Sequence, residues 1–437
     1  MHTAQFQCIK CQHAHPLTDI VYNCSLCGGL LEVVHPQTTF TAHTPEAWKQ
    51  RFESRQGGTP GPDGSGVWRY REWVLPEATD DDIVTLGEGA SALTRAHILS
   101  DRYGIDLLVK QCGHTLTGSF KDLGMTVLVS QVNRMRRLGH DIRTVICAST
   151  GDTSAALAAF GAAAKIPTVV LLPKGKISAA QLVQPLSHGA RVIAIDTDFD
   201  GCMAHVQRLA NEPGIYLANS KNSLRIEGQK TVAFEICQGL GWEIPDWVAI
   251  PGGNLGNVSA LVRGFENLRD AGIIDRLPRV ICAQAAQADP LFRSYQKNFA
   301  SLEKITAQPT QASAIRIGDP VSFPRAITAL KKANGTVSSI TEQQLTDMAI
   351  EADATGLYLC PHTAVAMAAV LQHRKADIIT AGERVVVVST AHGLKFTEFK
   401  QATASNTVPG ATHVHRHTLV DVSDVYDRVR EAVLTTI

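Results

Sequence analysis

Short runs of β-branched residues alternate with longer alanine-rich segments along most of this chain, and this alternation constrains the fold more than any other feature. Short apolar runs bounded by turn residues are typical of buried strands. Strands and helices that alternate in this way predict an α/β fold with mainly parallel sheets covered on both faces. The predicted strands are 107–110, 144–147, 168–172, 192–195, 247–250, 280–283 and 385–388, and the predicted helices are 152–165, 199–211, 223–238, 257–271 and 363–373.

The start of the chain differs from the remainder. At 437 residues the chain exceeds the size at which one hydrophobic core usually stops growing, so several domains are expected. Residues 1–36 are predicted to form a small separate module. Residues 37–84 are predicted to be a linker and N-terminal extension, because the Gly/Pro-rich stretch at 57–62 cannot sustain a helix or a central strand.

The charge balance narrows the class of partner. Forty-one Lys and Arg residues balance forty-one Asp and Glu residues, which excludes the basic footprint of a nucleic-acid binder. No window reaches the apolar length of a membrane span. The first residues lack the basic and apolar regions of a secretory signal, so a cytoplasmic location is expected.

Two cysteine pairs stand in the first module. Cys8 and Cys11 form one C-x-x-C pair and Cys24 and Cys27 form another, separated by twelve residues. This spacing is close to that of zinc ribbons, in which four thiolates hold one structural Zn²⁺. The alternative is four unpaired cytosolic thiols.

A glycine-rich loop connects the predicted strand at 247–250 to a helix. Its residues Gly252, Gly253, Asn254, Leu255, Gly256 and Asn257 allow a tight turn at a helix N-terminus, where converging N–H groups and the helix dipole favour a phosphate. The spacing matches neither a Walker loop nor the dinucleotide fingerprint. The alternative is an ordinary glycine turn.

Lys121 lies between Phe120 and the apolar stretch 123–129. Partial burial would lower the pKa of its amine and make it a nucleophile able to form a Schiff base. The alternative is a surface lysine that extends to solvent.

Three further loops carry polar groups at predicted strand ends. The hydroxyl-rich loop at 148–154 suits an anion such as a carboxylate, although its Asp152 or Thr153 could simply cap a helix. Thr390 could meet the edge of an aromatic ring or form a local turn. Arg225, which follows Asn219 and Ser220, suits a phosphate or carboxylate, or is a surface arginine.

Together these loops match the requirements of pyridoxal phosphate. The cofactor needs a Schiff-base lysine, a phosphate site and a partner for its ring nitrogen. In α/β sheets such ligand groups gather at the carboxyl ends of the strands.

The same segments resemble the plant-like threonine synthases, a family of fold-type II pyridoxal phosphate enzymes. The resemblance runs from about Gly66 to about Phe399 and is carried by 118–125, 149–154, 218–220, 224–231, 251–257, 317–322 and 389–396.

The resemblance implies a tryptophan synthase β-like fold with two doubly wound parallel-sheet domains. The large cofactor-binding domain is expected at 85–135 and 235–437, and a smaller mobile domain at 136–234. Relatives of this fold are usually dimers, so a homodimer is expected. The plant enzymes are activated by S-adenosylmethionine near their N-terminal region, but the cysteine module differs there and this regulation is not carried over.

The resemblance also implies residue roles. Lys121 would hold the cofactor and move protons, the 252–257 loop would bind its phosphate, and Thr390 would face the ring nitrogen. Asp152 would lie near the ring hydroxyl. The substrate-binding residues would be Ser149, Thr150 and Thr153 for the α-carboxylate, and Asn219, Ser220 and Arg225 for the phosphate.

The implied reaction is the conversion of O-phospho-L-homoserine and water to L-threonine and phosphate. One alternative keeps the cofactor but changes the substrate, as in cysteate synthase, which acts on O-phosphoserine and sulfite. A second alternative is a binding protein that kept the fold and lost the chemistry. The presence of Lys121 with every cofactor loop argues against the second alternative.

Overall fold

The computed structural model describes residues 3–56, 61–149, 151–175, 179–415, 417 and 419–435, without the side chains of 179–181. Part of the Gly/Pro stretch and the predicted substrate residue Thr150 therefore lie outside the described residues. Within these ranges, no helix is both long and apolar enough to cross a membrane.

The N-terminal module is a three-stranded antiparallel sheet. Strand β1 (Gln5–Cys8) pairs with β2 (Ala14–Pro16) on one side and with β3 (Leu31–Val34) on the other. The first cysteine pair starts at Cys8, the last residue of β1, and the second precedes β3. The pairing of β1 with β3 therefore brings the two cysteine pairs together.

The segment from 37 to 84 is not a linker, and this corrects the sequence-based prediction. It contains helices α1 (Pro45–Ser54) and α2 (Arg71–Val74). Trp48 and Phe52 are four residues apart on α1, so both face inward, and both are fully buried. Trp73 packs edge-on against Phe234 with ring centroids 5.4 Å apart. The segment is part of the main core, because six buried aromatic side chains are a strong driving force for burial; they are Phe40, Trp48, Phe52, Trp68, Tyr70 and Trp73.

A six-stranded sheet forms the larger domain. Its strand order is β12-β11-β10-β13-β5-β4, and every pairing is parallel except β4 with β5. The strands are β4 (Leu93–Arg95), β5 (Asp106–Gln111), β10 (Trp247–Pro251), β11 (Arg279–Ala285), β12 (Thr336–Ile340) and β13 (Arg384–Ser389).

A four-stranded parallel sheet forms the smaller domain, with the order β8-β7-β6-β9. Its strands are β6 (Thr144–Ala148), β7 (Thr168–Pro173), β8 (Arg191–Ile195) and β9 (Ile215–Leu217). All seven strands predicted from the sequence are present in the two sheets. The list of predicted strands omitted β4, β9 and β12, because β4 and β9 have three residues each and β12 has a Ser pair in place of apolar residues.

Helices cover both sheets. They are α3 (His97–Tyr103), α4 (Lys121–Arg137), α5 (Asp152–Ala163), α6 (Ala179–Ser187), α7 (Phe199–Leu209), α8 (Leu224–Gln229), α9 (Thr231–Gly239), α10 (Gly256–Asp270), α11 (Pro290–Gln296), α12 (Phe323–Lys332), α13 (Glu342–Asp353), α14 (Pro361–Lys375), α15 (Thr397–Ala404) and α16 (Tyr426–Leu434).

Alternate residues of the large sheet enter separate cores. In β10, Val248 and Ile250 belong to one buried cluster, and Trp247 and Ala249 belong to another on the opposite face. The small sheet divides its residues in the same way, between the first cluster and a third one. Because successive side chains of a strand point to opposite faces, this division shows that both faces are covered.

The end of the chain contributes nothing to these cores. Among the described residues from Ala404 onward, none is buried, and α16 is exposed apart from the half-buried Ala432. The end of the chain is still attached to the large domain, because the Thr412 and His413 amides donate hydrogen bonds to Asp347 of α13, so the boundary 235–437 stays a prediction.

Candidate active site

A cavity of about 660 Å³ lies where the strands of the two sheets end. Loops after β6, β9, β10 and β13 contribute to its walls, as expected for a ligand site in parallel α/β sheets. Ten predicted site residues line it: Lys121, Asp152, Ser220, Arg225, Gly253, Asn254, Leu255, Gly256, Asn257 and Thr390.

Lys121 is the first residue of α4, and the turn before it is held by a buried carboxylate. Asp122 accepts hydrogen bonds from the Thr115 hydroxyl at 2.7 Å and from the Thr117 amide at 2.9 Å. The Phe120 amide donates to the main-chain oxygen of Thr390 at 2.9 Å. These bonds fix the lysine-bearing turn against the end of β13.

The surroundings of Lys121 favour a neutral amine. The pKa of Lys121 is lowered from 10.5 to about 7, mainly by burial; Arg225 contributes to the lowering, and Asp152 acts in the opposite direction. The Lys121 ammonium nitrogen lies 4.0 Å from the centroid of the Phe120 ring. A substantial fraction of this amine is unprotonated near neutral pH, as a Schiff-base nucleophile requires.

The glycine-rich loop ends at the start of α10, a fifteen-residue helix. The first N–H groups of a helix have no acceptor within it and can bind an anion. A side chain at Gly252 would come within 2.4 Å of the Cys282 sulfur, and one at Gly253 would come within 3.2 Å of Ile315. Leu255 has a left-handed backbone with φ of 66°, a strained conformation that is concentrated at functional sites. The loop fits a phosphate group.

Arg225 has an incomplete set of partners at the other wall of the cavity. One guanidinium nitrogen lies 3.4 Å from the Thr153 hydroxyl, and another lies 3.5 Å from the Ser220 hydroxyl. Its Nε is buried and has no hydrogen-bond partner among the described residues. Burial lowers the pKa of Arg225 to about 10. A buried guanidinium without a carboxylate is suited to an anionic substrate group.

Four predicted site residues among those described lie outside the cavity wall, and one of them, Thr153, contacts Arg225. The Ser149 hydroxyl accepts from the Ser154 amide at 3.1 Å and so holds the start of α5. Asn219 donates to and accepts from the main chain of Ala148 at 2.8 and 2.9 Å, which joins the ends of β6 and β9. Gly252 stands behind the loop, where its amide donates to Ala283. In this geometry their side chains or backbone shape the site.

The cavity also contains residues that the sequence analysis did not assign. His362, at the start of α14, accepts a 2.9 Å hydrogen bond from the Ala314 amide. The others are Phe120, Ile226, Gln229, Pro251, Ala314, Ile315 and Ile317. Phe120, Ile226, Gln229, Pro251 and Ile317 lie in segments that resemble the family, but no role was predicted for them, because wall residues of this kind carry no local chemical signal.

The four N-terminal cysteines form a separate cluster. The sulfur atoms of Cys8, Cys11, Cys24 and Cys27 all lie within 4.8 Å of one another. A tetrahedral Zn²⁺ with bonds of about 2.3 Å needs sulfur atoms roughly 3.8 Å apart. A side chain at Gly29 would come within 2.8 Å of the Cys8 sulfur, so glycine leaves the space that this cluster occupies. The residues fit a closed four-thiolate site.

Comparison with known proteins agrees with this geometry. The family described as pyridoxal-phosphate dependent enzyme matches residues 84–391. "Threonine synthase 2, chloroplastic" of Arabidopsis thaliana is 54% identical over 390 residues, which are 89% of this chain and 75% of that protein. Threonine synthase of Methanocaldococcus jannaschii is 39% identical over 391 residues, 89% of this chain and 92% of that protein.

Solved structures share the fold. A crystal structure of threonine synthase from Escherichia coli has a TM-score of 0.67 at 20% identity and covers 99% of this chain and 100% of that chain. Maize serine racemase has a TM-score of 0.62 at 17% identity and covers 77% of this chain and 95% of that chain.

The fold and the site define a fold-type II pyridoxal-phosphate dependent enzyme. Identity of 54% over most of the chain then narrows the class further, and the chain belongs to the threonine synthase family.

Proposed function

We propose that this chain converts O-phospho-L-homoserine and water to L-threonine and phosphate. The observation that carries the proposal is 54% identity with a threonine synthase over 89% of the chain, a span that includes every wall of the cavity. The two anion-binding features at opposite walls support it, since cofactor and substrate each bring a phosphate group. These features are the start of α10 and Arg225.

The residues of this chain suit distinct parts of that reaction. Bound pyridoxal phosphate supplies an electron sink for the carbanions that form at Cα and Cβ of the substrate. Lys121 would hold the cofactor and, when displaced by substrate, take and return protons at Cα and Cβ. Thr390 would meet the ring nitrogen, and the 253–257 loop would bind the cofactor phosphate.

Arg225 and Ser220 would bind the phosphate of the substrate. That group leaves from Cγ with the electrons of its C–O bond, a proton goes to Cγ, and water adds to Cβ. Arg225 can stabilise the charge of the leaving phosphate because the guanidinium is buried and only weakly bonded to the protein.

We also propose that Cys8, Cys11, Cys24 and Cys27 bind one structural Zn²⁺. Their close sulfur positions support this, and four thiolates leave no open position for catalysis.

A homodimer is proposed as well. The exposed apolar side chains of α16, Tyr426, Val429 and Val433, support an oligomer because they lack a covering surface within the described chain.

The substrate is tested by incubating the purified protein, loaded with cofactor, with O-phospho-L-homoserine, or with O-phospho-L-serine and sulfite. Amino-acid products are separated by chromatography and phosphate is measured. Threonine and phosphate in equal amounts from the first substrate are expected. Cysteate from the second substrate, without threonine from the first, would overturn the substrate and keep the cofactor chemistry.

A further inference from the structure

The ammonium group of Lys395 has three acceptors beside the cavity. Lys395 lies in the helical turn that follows β13. Its Nζ donates to the main-chain oxygen of Thr117 at 2.7 Å and to Oε1 of Gln184 at 2.8 Å, and lies 3.2 Å from Oδ1 of Asp152. Two of these contacts are hydrogen bonds and the third is an ion pair.

The three acceptors belong to different parts of the fold. Thr117 precedes the reactive Lys121 on the side of the large sheet. Asp152 starts α5 and Gln184 lies on α6, and both helices cover the small sheet. Lys395 thus connects the turn before Lys121 with two helices of the small sheet. The side chain is only 15% exposed, which strengthens its electrostatic contacts relative to those of a surface lysine.

The aliphatic part of Lys395 is also held. A side chain at Gly118 would come within 3.0 Å of Cδ and 3.3 Å of Cγ of Lys395. Gly118 has φ of 77°, a left-handed conformation that favours glycine. The turn before Lys121 therefore accepts the lysine stem in a fixed place, and the ammonium group has little freedom to move.

Asp152 is the partner of Lys395 that also acts on the reacting lysine, because its charge raises the pKa of Lys121. It lines the cavity together with Lys121, and its side chain is 10% exposed. The cations that face this region are Lys395, Lys121 and Arg225. Only Lys395 among them forms an ion pair with Asp152 within 4.0 Å in the described chain.

We propose that Lys395 is a positioning residue, which fixes the Asp152 carboxylate beside Lys121 and joins the small-sheet helices to the lysine-bearing turn. The inference deepens the proposed function and rests on it, because Asp152 and Lys121 are residues of the proposed cofactor site. It assigns to Lys395 an action through Asp152, without contact between Lys395 and the reacting atoms.

The test compares the holoenzyme with Lys395→Met, Lys395→Arg, Asp152→Asn and the double variant Lys395→Met/Asp152→Asn. Lys395→Met is expected to lower kcat at least about tenfold, since small misplacements in an active site have effects of this order or larger. Lys395→Arg should recover part of the loss because it keeps the charge. The double variant should be no slower than the slower single variant.

Two readouts do not require turnover. Visible circular dichroism of the lysine-bound cofactor reports its orientation and should change in Lys395→Met. Hydrogen exchange of α6 should become faster in Lys395→Met and in Gln184→Leu, whereas Gln184→Leu should keep the dichroism, because it leaves Asp152 and Lys395 paired. Lys395→Gln replaces Lys395→Met if the latter does not fold.

The inference is overturned if the losses in kcat from Lys395→Met and Asp152→Asn multiply in the double variant, or if the dichroism of Lys395→Met matches wild type. Failure of the proposed function appears differently. A wild-type protein that makes no threonine would contradict that function, while dichroism and hydrogen exchange would still decide the role of Lys395.

Discussion

At the scale of single residues, the site depends on how its charges are placed around one amine. Lys121 lies between a cation that lowers the pKa of its amine, Arg225, and an anion that raises it, Asp152. Burial lowers the pKa of Lys121 more than Arg225 does. The amine is consequently reactive in the pH range where an ordinary lysine is protonated.

The first prediction concerns cofactor loading. Without cofactor, Lys121 has a pKa of about 7, so the rate of loading with pyridoxal phosphate should rise as the pH passes through about 7. Arg225→Met should move this midpoint to higher pH, because it removes a cation that disfavours the ammonium form. Stopped-flow absorbance across pH measures both. A wild-type midpoint near 10 would contradict the account.

The second prediction concerns loss of the amine. Lys121→Ala should abolish the absorbance of the lysine-bound cofactor and all threonine formation. Lys375→Ala is the matched control, because Lys375 is an exposed lysine at the far end of α14. A Lys121→Ala protein that still shows the absorbance would mean that another lysine binds the cofactor.

The third prediction concerns substrate phosphate. Arg225→Met should raise KM for O-phospho-L-homoserine by about 10- to 100-fold, the range expected for a charged hydrogen bond. Arg225→Lys should raise KM by less than Arg225→Met does, because lysine keeps the positive charge. It should still raise KM above the wild-type value, because it lacks the planar guanidinium. If steady-state KM were unchanged in Arg225→Met, the phosphate of the substrate would have to bind elsewhere.

Local sequence patterns predicted the chemistry of residues whose neighbours in the chain define their environment. Lys121 and the 252–257 loop are of this kind. The roles of Lys395 and Asn219 could not be predicted in this way. Lys395 meets Asp152 from 243 positions further along the chain, and Asn219 uses its amide on Ala148 of a neighbouring strand. Such contacts depend on the order of strands in the sheets.

At the scale of elements, the N-terminal module is anchored to the segment that carries the substrate-binding residues. The Tyr22 hydroxyl accepts from the Leu217 amide at 2.8 Å, and the Ser223 hydroxyl donates to the main-chain oxygen of Leu31 at 2.7 Å. Leu217 ends β9 and Ser223 precedes α8, so both contacts flank Ser220. The module therefore braces one wall of the cavity.

The fourth prediction follows from this brace. Cys8→Ser should reduce the zinc content from one per chain toward zero and lower the unfolding temperature, since metal binding stabilises small ribbons. Cys237→Ala, a buried cysteine outside the cluster, should keep the metal. Elemental analysis with calorimetry measures both. Full zinc content in Cys8→Ser would contradict the four-thiolate site.

A buried cluster of charged residues forms a second contact between the N-terminal module and the main part of the chain. Nε2 of His35 lies 2.7 Å from Glu227 and 3.3 Å from Nζ of Lys230, and Lys230 pairs with the same carboxylate. Burial lowers the pKa of His35 below 6.5, and Lys230 adds to this effect. For Glu227, burial acts to raise the pKa, but Lys230 and His35 lower it below 4.5 overall.

The fifth prediction gives the resulting pH dependence. The unfolded chain binds a proton at His35 more tightly than the folded protein does, so stability should fall as the pH drops through 6.5. Glu227 should add a further loss as the pH falls from 4.5, where the unfolded carboxylate protonates first.

Urea unfolding at several pH values measures this dependence. His35→Gln should flatten the slope between pH 6.5 and about 5, and His97→Gln, at an exposed position, should not change it. An equal slope in wild type and His35→Gln would show that other groups cause the acid sensitivity.

At the scale of the whole molecule, the two sheets meet at the cavity and the N-terminal segments support them from outside. The alternation of strands and helices predicted this arrangement, because a parallel sheet requires helical crossovers. The aromatic layer at 37–84 was not predicted. Its glycines and prolines at 57–62 suggested a linker, while the buried pair Trp48 and Phe52 shows that an adjacent short helix can still enter the core.

The central claim is that water adds to carbon while phosphate leaves from a different carbon. The most direct measurement runs the reaction with O-phospho-L-homoserine in water labelled with oxygen-18 and analyses both products by mass spectrometry. The account predicts threonine with the label in its hydroxyl group and unlabelled phosphate. Labelled phosphate together with homoserine would show simple ester hydrolysis and would contradict the claim.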